Sequence, residues 1–154
     1  YASRGLGDVY KRQGINIKLE AVEDLKFYAS IADIISTATM AHEPILKGEW
    51  IKPGTHVDLI GAFTADMREA DDTLISSGSI FVDSRATTID HIGELTIPIA
   101  NGIIKKNDIK GDFYDLLLSS KTARRSENEI TIFKNGGGAH LDLMIAKYLI
   151  DISE

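Results

Sequence analysis

Four short stretches concentrate the residues able to do chemistry, and each closes an apolar run: Ser36-Thr37-Ala38-Thr39, Ile60-Gly61-Ala62-Phe63, Asp83-Ser84-Arg85 and Lys134-Asn135-Gly136. Thr37 and Thr39 can each donate a hydroxyl hydrogen bond. Gly61 takes a side chain out of the path of a ligand approaching the backbone. Ends of this kind accommodate a flat ring or a ribose, and they also make routine strand-to-helix turns; the pattern leaves both readings open. Gly136-Gly137-Gly138 is the best phosphate-loop candidate, because amides at a helix N-terminus attract anions. Its extension fails, since a dinucleotide fingerprint needs glycine where Leu141 stands and a Walker loop needs Lys-Ser or Lys-Thr where Ala139-His140 stand. Gly5-Leu6-Gly7 fails too: position 10 is Tyr10, and Tyr1 to Arg4 are too few for the strand that must feed such a loop.

His42, His56, His91 and His140 are scattered, and none stands at metal-ligand spacing from another histidine or a carboxylate, so no metal site is expected. Structural roles suit His56 and His91, while His140 follows the glycines within reach of a ligand. Asp66, Arg68, Glu69, Asp71 and Asp72 read as a solvated ion-pair network, each pair worth little. Arg124-Arg125 reads as an exposed turn. The absence of cysteine removes disulfides, thiolate metal sites and cysteine nucleophiles.

The elements that must position these residues come from the hydrophobic pattern. Strands are expected at Ile15 to Leu19, Ala32 to Thr39, His56 to Phe63 and Ser79 to Asp83, whose continuous apolar character suits a parallel sheet covered on both faces. EAVEDLKFYAS carries Val22, Leu25 and Ala29 at helical spacing. MREADDTLISSG carries the stripe Met67, Ala70, Leu74 and Ile75, with Gly78 suited to a C-terminal cap. AHEPILKGEWIKPGTH predicts a short helical turn that buries Ile45, Leu46 and Trp50 between its breakers Pro44 and Pro53-Gly54. The pattern loosens through TTIDHIGELTIPIANGII, then gives a helix at DFYDLLLSS and a strand, triple glycine and amphipathic helix in ITIFKNGGGAHLDLMIAKYLI. Strand alternating with helix predicts an α/β fold with a doubly wound parallel sheet.

A length of 154 residues suits one well-packed domain, and 44% hydrophobic with 26% charged residues is ordinary for a globular protein. A net charge of −6 argues against a nucleic-acid surface. No apolar run approaches the roughly 18 to 20 residues of a membrane span. Lys11-Arg12-Gln13 is not followed by the apolar core of a signal peptide, so a cytoplasmic setting is expected.

The wording of ADIISTAT, EPILKGEWIKPGTHVDLIGAF, MREADD, IFVDSR and EITIFKNGGGAHLDL is more particular than a generic α/β domain. In that order these motifs resemble the ornithine cyclodeaminase and mu-crystallin family, from about Gly14 to the C-terminus. The resemblance implies an N-terminal substrate and dimerisation domain followed by a Rossmann NAD(P) domain, with the glycine fingerprint upstream of the matched segment. The chain is then expected to be a truncated piece. Residues 1–13 would be a non-native or disordered leader, since GLGDVYKRQ resembles translated linker sequence on gene fragments. Residues 14–125 would form the second half of the nucleotide domain, and residues 126–154 a C-terminal strand and a helix returning toward the substrate domain.

The resemblance also implies site roles. The family's Thr-x-Thr turn maps onto Thr37, Ala38 and Thr39 with Met40 next, lining NAD or NADP. Its V-G-A strand end maps onto Ile60, Gly61 and Ala62 near the nicotinamide. Its F-K-S-V-G loop maps onto Phe133 to Gly137, with Asn135 on the cofactor and Gly136 on the substrate side; Asn135 replaces serine and Gly136 replaces valine. Cyclodeaminases proper carry an aspartate after the G-A, where Phe63 stands, and a phenyl ring cannot act as a base. Phe63 therefore points to members that reduce cyclic imines such as Δ1-pyrroline-2-carboxylate, with ornithine cyclodeaminase and a mu-crystallin-like NADPH-binding protein as alternatives. The family's Arg and Lys that hold the substrate carboxylate belong to the upstream domain, so no catalytic residue is assigned. A small-molecule substrate and a homodimer are the partners implied.

Overall fold

The computed structural model describes residues 20–118 and 124–153. The expected strand at Ile15 to Leu19 and the expected leader lie outside the described residues. Four parallel strands form one sheet: β1 (Ile34–Thr37), β2 (His56–Leu59), β3 (Ser79–Val82) and β4 (Thr131–Lys134), in the order β1-β2-β4-β3. β4 pairs with both β2 and β3, setting Val57 and Ile80 opposite Ile132, and Leu59 and Val82 opposite Lys134. The last strand in sequence is thus internal.

One face of the sheet carries Val57, Leu59, Ile80, Val82 and Ile132, all essentially inaccessible, and packs on Leu46, Leu74, Ile75, Ile89, Leu95, Ile104 and Ile109. Burying each such side chain stabilises the fold by about 1.5–3 kcal/mol. The expectation of cover on both faces holds for β3, where Ile80, Phe81 and Val82 are all buried. In β2 burial alternates, with His56 and Asp58 half-buried, and Ile34 of the edge strand β1 is exposed. The apolar run there is a one-sided strand.

Side-chain caps set the helix boundaries. Asp24 accepts the Phe27 amide and starts α1 (Leu25–Ile31), so Val22 stays outside it. Asp71 accepts the amides of Leu74 and Gly48, starting α2 (Asp72–Ser77) and tying it to the turn Gly48–Trp50. Met67 and Ala70 are buried as predicted, but in the preceding loop. Gly78 ends α2 in an extended conformation, where a Cβ would crowd the Ile132 side chain at 2.6 Å; packing demands this glycine, not a left-handed cap. The predicted turn near Trp50 is present as Gly48–Trp50, with Leu46 and Ile51 buried beside it.

The stretch read as loosening holds two helices, α3 (Arg85–Thr88) and α4 (Gly93–Ala100). Pro98 inside α4 and glycine at its first position disguised the pattern, and its buried side includes the charged Glu94. Further on are α5 (Phe113–Leu118) and α6 (Ala139–Asp151). Among the described residues no helix is long and apolar enough to cross a membrane.

Candidate functional site at the carboxyl ends of the strands

Parallel strands deliver all their carboxyl ends to one side. Three backbone bonds continue the ladder past those ends: Ile60 donates to the Thr37 carbonyl at 2.9 Å, Asn135 to Leu59 at 3.1 Å, and Asp83 to Lys134 at 3.2 Å. The turns after β1, β2, β4 and β3 are therefore laced edge to edge before any side chain acts.

A buried carboxylate then joins the first two. Glu69 Oε1 accepts the Thr39 amide at 2.7 Å and the Thr39 hydroxyl at 2.8 Å, while Oε2 accepts the Gly61 amide at 2.8 Å. Burial pushes the Glu69 carboxyl upward, but these donors outweigh it and hold the group below the usual glutamate range. Thr37 Oγ1 is buried and has no hydrogen-bond partner of good geometry among the described residues. Its hydroxyl nonetheless adds to the groups favouring the Glu69 carboxylate.

Glu69 is itself held by Glu94, at the start of α4. Glu94 Oε2 accepts the Glu69 amide at 2.7 Å and Oε1 the Ala70 amide at 2.9 Å. For Glu94 burial wins, and its carboxyl is pushed above the usual range despite the two amides and the Lys134 charge. Lys134, fully buried at the end of β4, donates Nζ to the Leu59 carbonyl at 3.0 Å. Burial pushes its ammonium down, opposed by Glu94, Glu69, Asp83 and Asp58. Asp83 closes the far side: Oδ1 accepts the Ser84 amide at 2.7 Å and the Thr88 hydroxyl at 2.8 Å, and Oδ2 is buried without a partner among the described residues.

The residues singled out from sequence fall along this rim. Thr37, Thr39 and Gly61 meet around Glu69. Met40, Ile60 and Phe63 are exposed, Phe63 at 57%, and Ala38 is exposed beside them. Ala62 is buried against Met67 and Ile92, so only its backbone can face a ligand. Asn135 Oδ1 accepts the Gly137 amide at 2.8 Å, and its side-chain NH2 has no partner among the described residues. A Cβ on Gly136 would stand 2.7 Å from Thr88 Oγ1 and 3.1 Å from Asp83 Oδ1, and Gly137 takes φ +67°, so both glycines answer to local geometry.

Two expectations are corrected. Arg68 and Glu69 are buried, not solvated: Arg68 donates to the Ala70 carbonyl at 3.1 Å and pairs with Asp72 at 2.8 Å. Arg124 is half-buried and donates to the carbonyls of Gly54 and Glu129 and to Thr131 Oγ1. Sequence reasoning marked the strand ends that hold Asp83 and Lys134, but it missed Glu69 and Glu94 as site-building groups. The available signal was a lone charge bordering an apolar run, as in GELTIPI and ITIFK. His56 Nδ1 lies 2.8 Å from Thr131 Oγ1 and joins two strands, as its position suggested.

Chemically the rim offers hydroxyls, an amide and bare backbone to a flat polar ligand, braced from beneath by buried charge. Known proteins share this fold. The chain is 60% identical over 136 residues to the Delta(1)-pyrroline-2-carboxylate reductase of Paracoccus denitrificans (strain Pd 1222), covering 88% of this chain and 43% of that protein. The structure of Thermococcus litoralis Delta(1)-pyrroline-2-carboxylate reductase in complex with NADH and L-proline superposes with a TM-score of 0.81 at 33% identity, covering 92% of this chain and 43% of that one. The iminosuccinate reductase of Paracoccus denitrificans in complex with NAD+ gives 0.80 at 30% identity, covering 96% and 44%. The chain thus spans less than half the length of each. These likenesses make its sheet part of a Rossmann-like α/β domain. A family model described as the ornithine cyclodeaminase/mu-crystallin family matches residues 8–154, and the chain belongs to that family.

Proposed function

We propose that the polypeptide carrying this segment reduces a cyclic ketimine such as Δ1-pyrroline-2-carboxylate to proline with NADH or NADPH. Phe63 carries the reading. It stands exposed directly after Gly61-Ala62, where cyclodeaminases have an aspartate, and it offers a candidate substrate an apolar face with no base. The 60% identity to a reductase of this substrate, and the NADH and L-proline held by a related structure, support the same assignment.

The residues fit the ring-and-ribose end of a dinucleotide. The buried Thr37 hydroxyl, which has no partner of good geometry among the described residues, the exposed Ala38 and Met40, and the backbone of Ile60, Gly61 and Ala62 would hold it, with the side-chain NH2 of Asn135 across the rim. Among the described residues no glycine fingerprint serves a pyrophosphate. When bound, NAD(P)H supplies the hydride that the imine carbon accepts, and the imine nitrogen takes a proton. Phe63 and Gly136 border the substrate side in this reading, Phe63 excluding water from the transfer. The described residues would form the second half of the nucleotide domain, and α6 would return toward a substrate and dimerisation domain in a cytoplasmic homodimer of proline metabolism.

The test is to assay the whole polypeptide with Δ1-pyrroline-2-carboxylate plus NAD(P)H, and separately with ornithine plus catalytic NAD+. Oxidation of NAD(P)H with proline formed from the cyclic imine is expected. Proline formed only from ornithine, or cofactor binding with turnover of neither, would overturn the assignment.

A further inference from the structure

Two turns of the rim share one anchor. The amides of Thr39 and Gly61, on successive turns after β1 and β2, bond to the two oxygens of a single side chain 30 and 8 residues downstream. Glu69 cannot drift, because Glu94 grips its amide and that of Ala70. Gly61 cannot drift either: a Cβ on it would overlap the Thr39 backbone and stand 2.5 Å from Glu69 Oε1. The third turn is tied differently: the Asn135 amide and the Lys134 ammonium both donate to the Leu59 carbonyl, at the end of β2. Beyond the Ile60–Thr37 backbone bond, the first two turns are held together by the one carboxylate of Glu69, below the surface a ligand would touch.

We propose that Glu69 is a positioning residue: by holding the Thr39 and Gly61 amides on its two oxygens it fixes the turn pair that receives the reactive ring of a dinucleotide. This rests on the reductase reading above. A carboxylate suits the task because it is acceptor-only and can take three donors at once. Glutamine has the same shape but must turn an NH2 toward one of those N–H groups, so one turn is released while the backbone trace is kept.

The experiment compares two ligands on the whole polypeptide. NADH carries the reactive ring, and ADP-ribose is the same molecule without it. For Glu69→Gln, the dissociation constant of NADH is expected to rise about tenfold, the loss of one charge-assisted hydrogen bond, while that of ADP-ribose, which keeps the adjoining ribose, rises by no more than about threefold. Equal weakening of both ligands would show a merely structural role and overturn the proposal, as would unchanged NADH binding. Should Glu69→Gln fail to fold, amide exchange in the unaltered protein decides. NADH is expected to slow exchange at Thr39 and Gly61 together and ADP-ribose is not; equal slowing by both, or by neither, overturns it. Unaltered protein that binds neither ligand would instead sink the cofactor assignment itself, and the two failures are distinct.

Discussion

Gly61 is packed so tightly on Thr39 that a side-chain carbon would overlap both the carbonyl oxygen and the amide nitrogen of that residue. The glycine that opens the candidate site to a ligand is first of all the residue that lets two neighbouring turns touch. Its smallness is spent inside the protein, on backbone that cannot swing aside.

Gly61→Ala is accordingly expected to destabilise the chain by about 2–4 kcal/mol, the scale of a forced overlap in a packed region. Gly111→Ala is the control: its nearest neighbour would be Asp115 Cβ at 3.3 Å, a contact that small shifts relieve. Urea unfolding of both variants checks the contrast, and equal midpoints would contradict it.

Glu69 and Glu94 are expected to give stability opposite dependences on pH. Glu69 titrates below its ordinary value in the folded chain, so its contribution is complete above the unfolded value of 4.5 and is lost as pH falls through the folded one. Glu94 titrates above 4.5 when folded, so its ionisation costs stability as pH rises from 4.5 through the folded value. The summed contribution of these two carboxyls is therefore greatest near pH 4.5. In Glu94→Gln the decline above that pH should vanish, measured as unfolding free energy against pH relative to the unaltered chain.

Much of this architecture is legible in the sequence, and the exceptions share a cause. Strands β1 to β4 and helices α1, α2, α5 and α6 follow from apolar runs and their breakers, because burial leaves a periodic trace. Helix α4 escaped because Gly93 and Pro98 argue against a helix while Glu94 occupies a core-facing place. The rim residues Thr37, Thr39 and Gly61 could be marked from their strand-end positions and from family likeness. Glu69 could not, since its role depends on amides brought from 8 and 30 residues away. Among Asp66, Arg68, Asp71 and Asp72 it looks like one more surface charge.

Lys134→Met is expected to destabilise the chain by about 3 kcal/mol, the usual consequence of removing one member of a buried charge cluster. The Leu59 carbonyl loses its side-chain donor, and Glu94 loses the cation that draws its titration downward. The fall in stability above pH 4.5 should then extend to higher pH. A variant as stable as its parent would show that the ammonium contributes nothing net.

Phe63→Asp should separate function from folding. Phe63 is 57% exposed, so its replacement is expected to change stability by no more than about 0.5 kcal/mol. In the whole polypeptide, pyrroline-2-carboxylate reduction should fall by about tenfold or more, as a charge draws water to the proposed transfer site. Unfolding curves and steady-state rates on one preparation distinguish the two effects.

The strand order also sets a timetable for synthesis. β1 and β2 can pair once residue 59 has emerged, but β3, bridged on its outer edge by Lys110 and Gly111, gains its inner neighbour only when residues 131–134 arrive between it and β2. Partners 75 residues apart, such as His56 and Thr131, make loop closure the slow step. On the ribosome, the nascent chain must carry β3 with its inner edge unpaired for some fifty residues, the interval in which a chaperone would find most to bind.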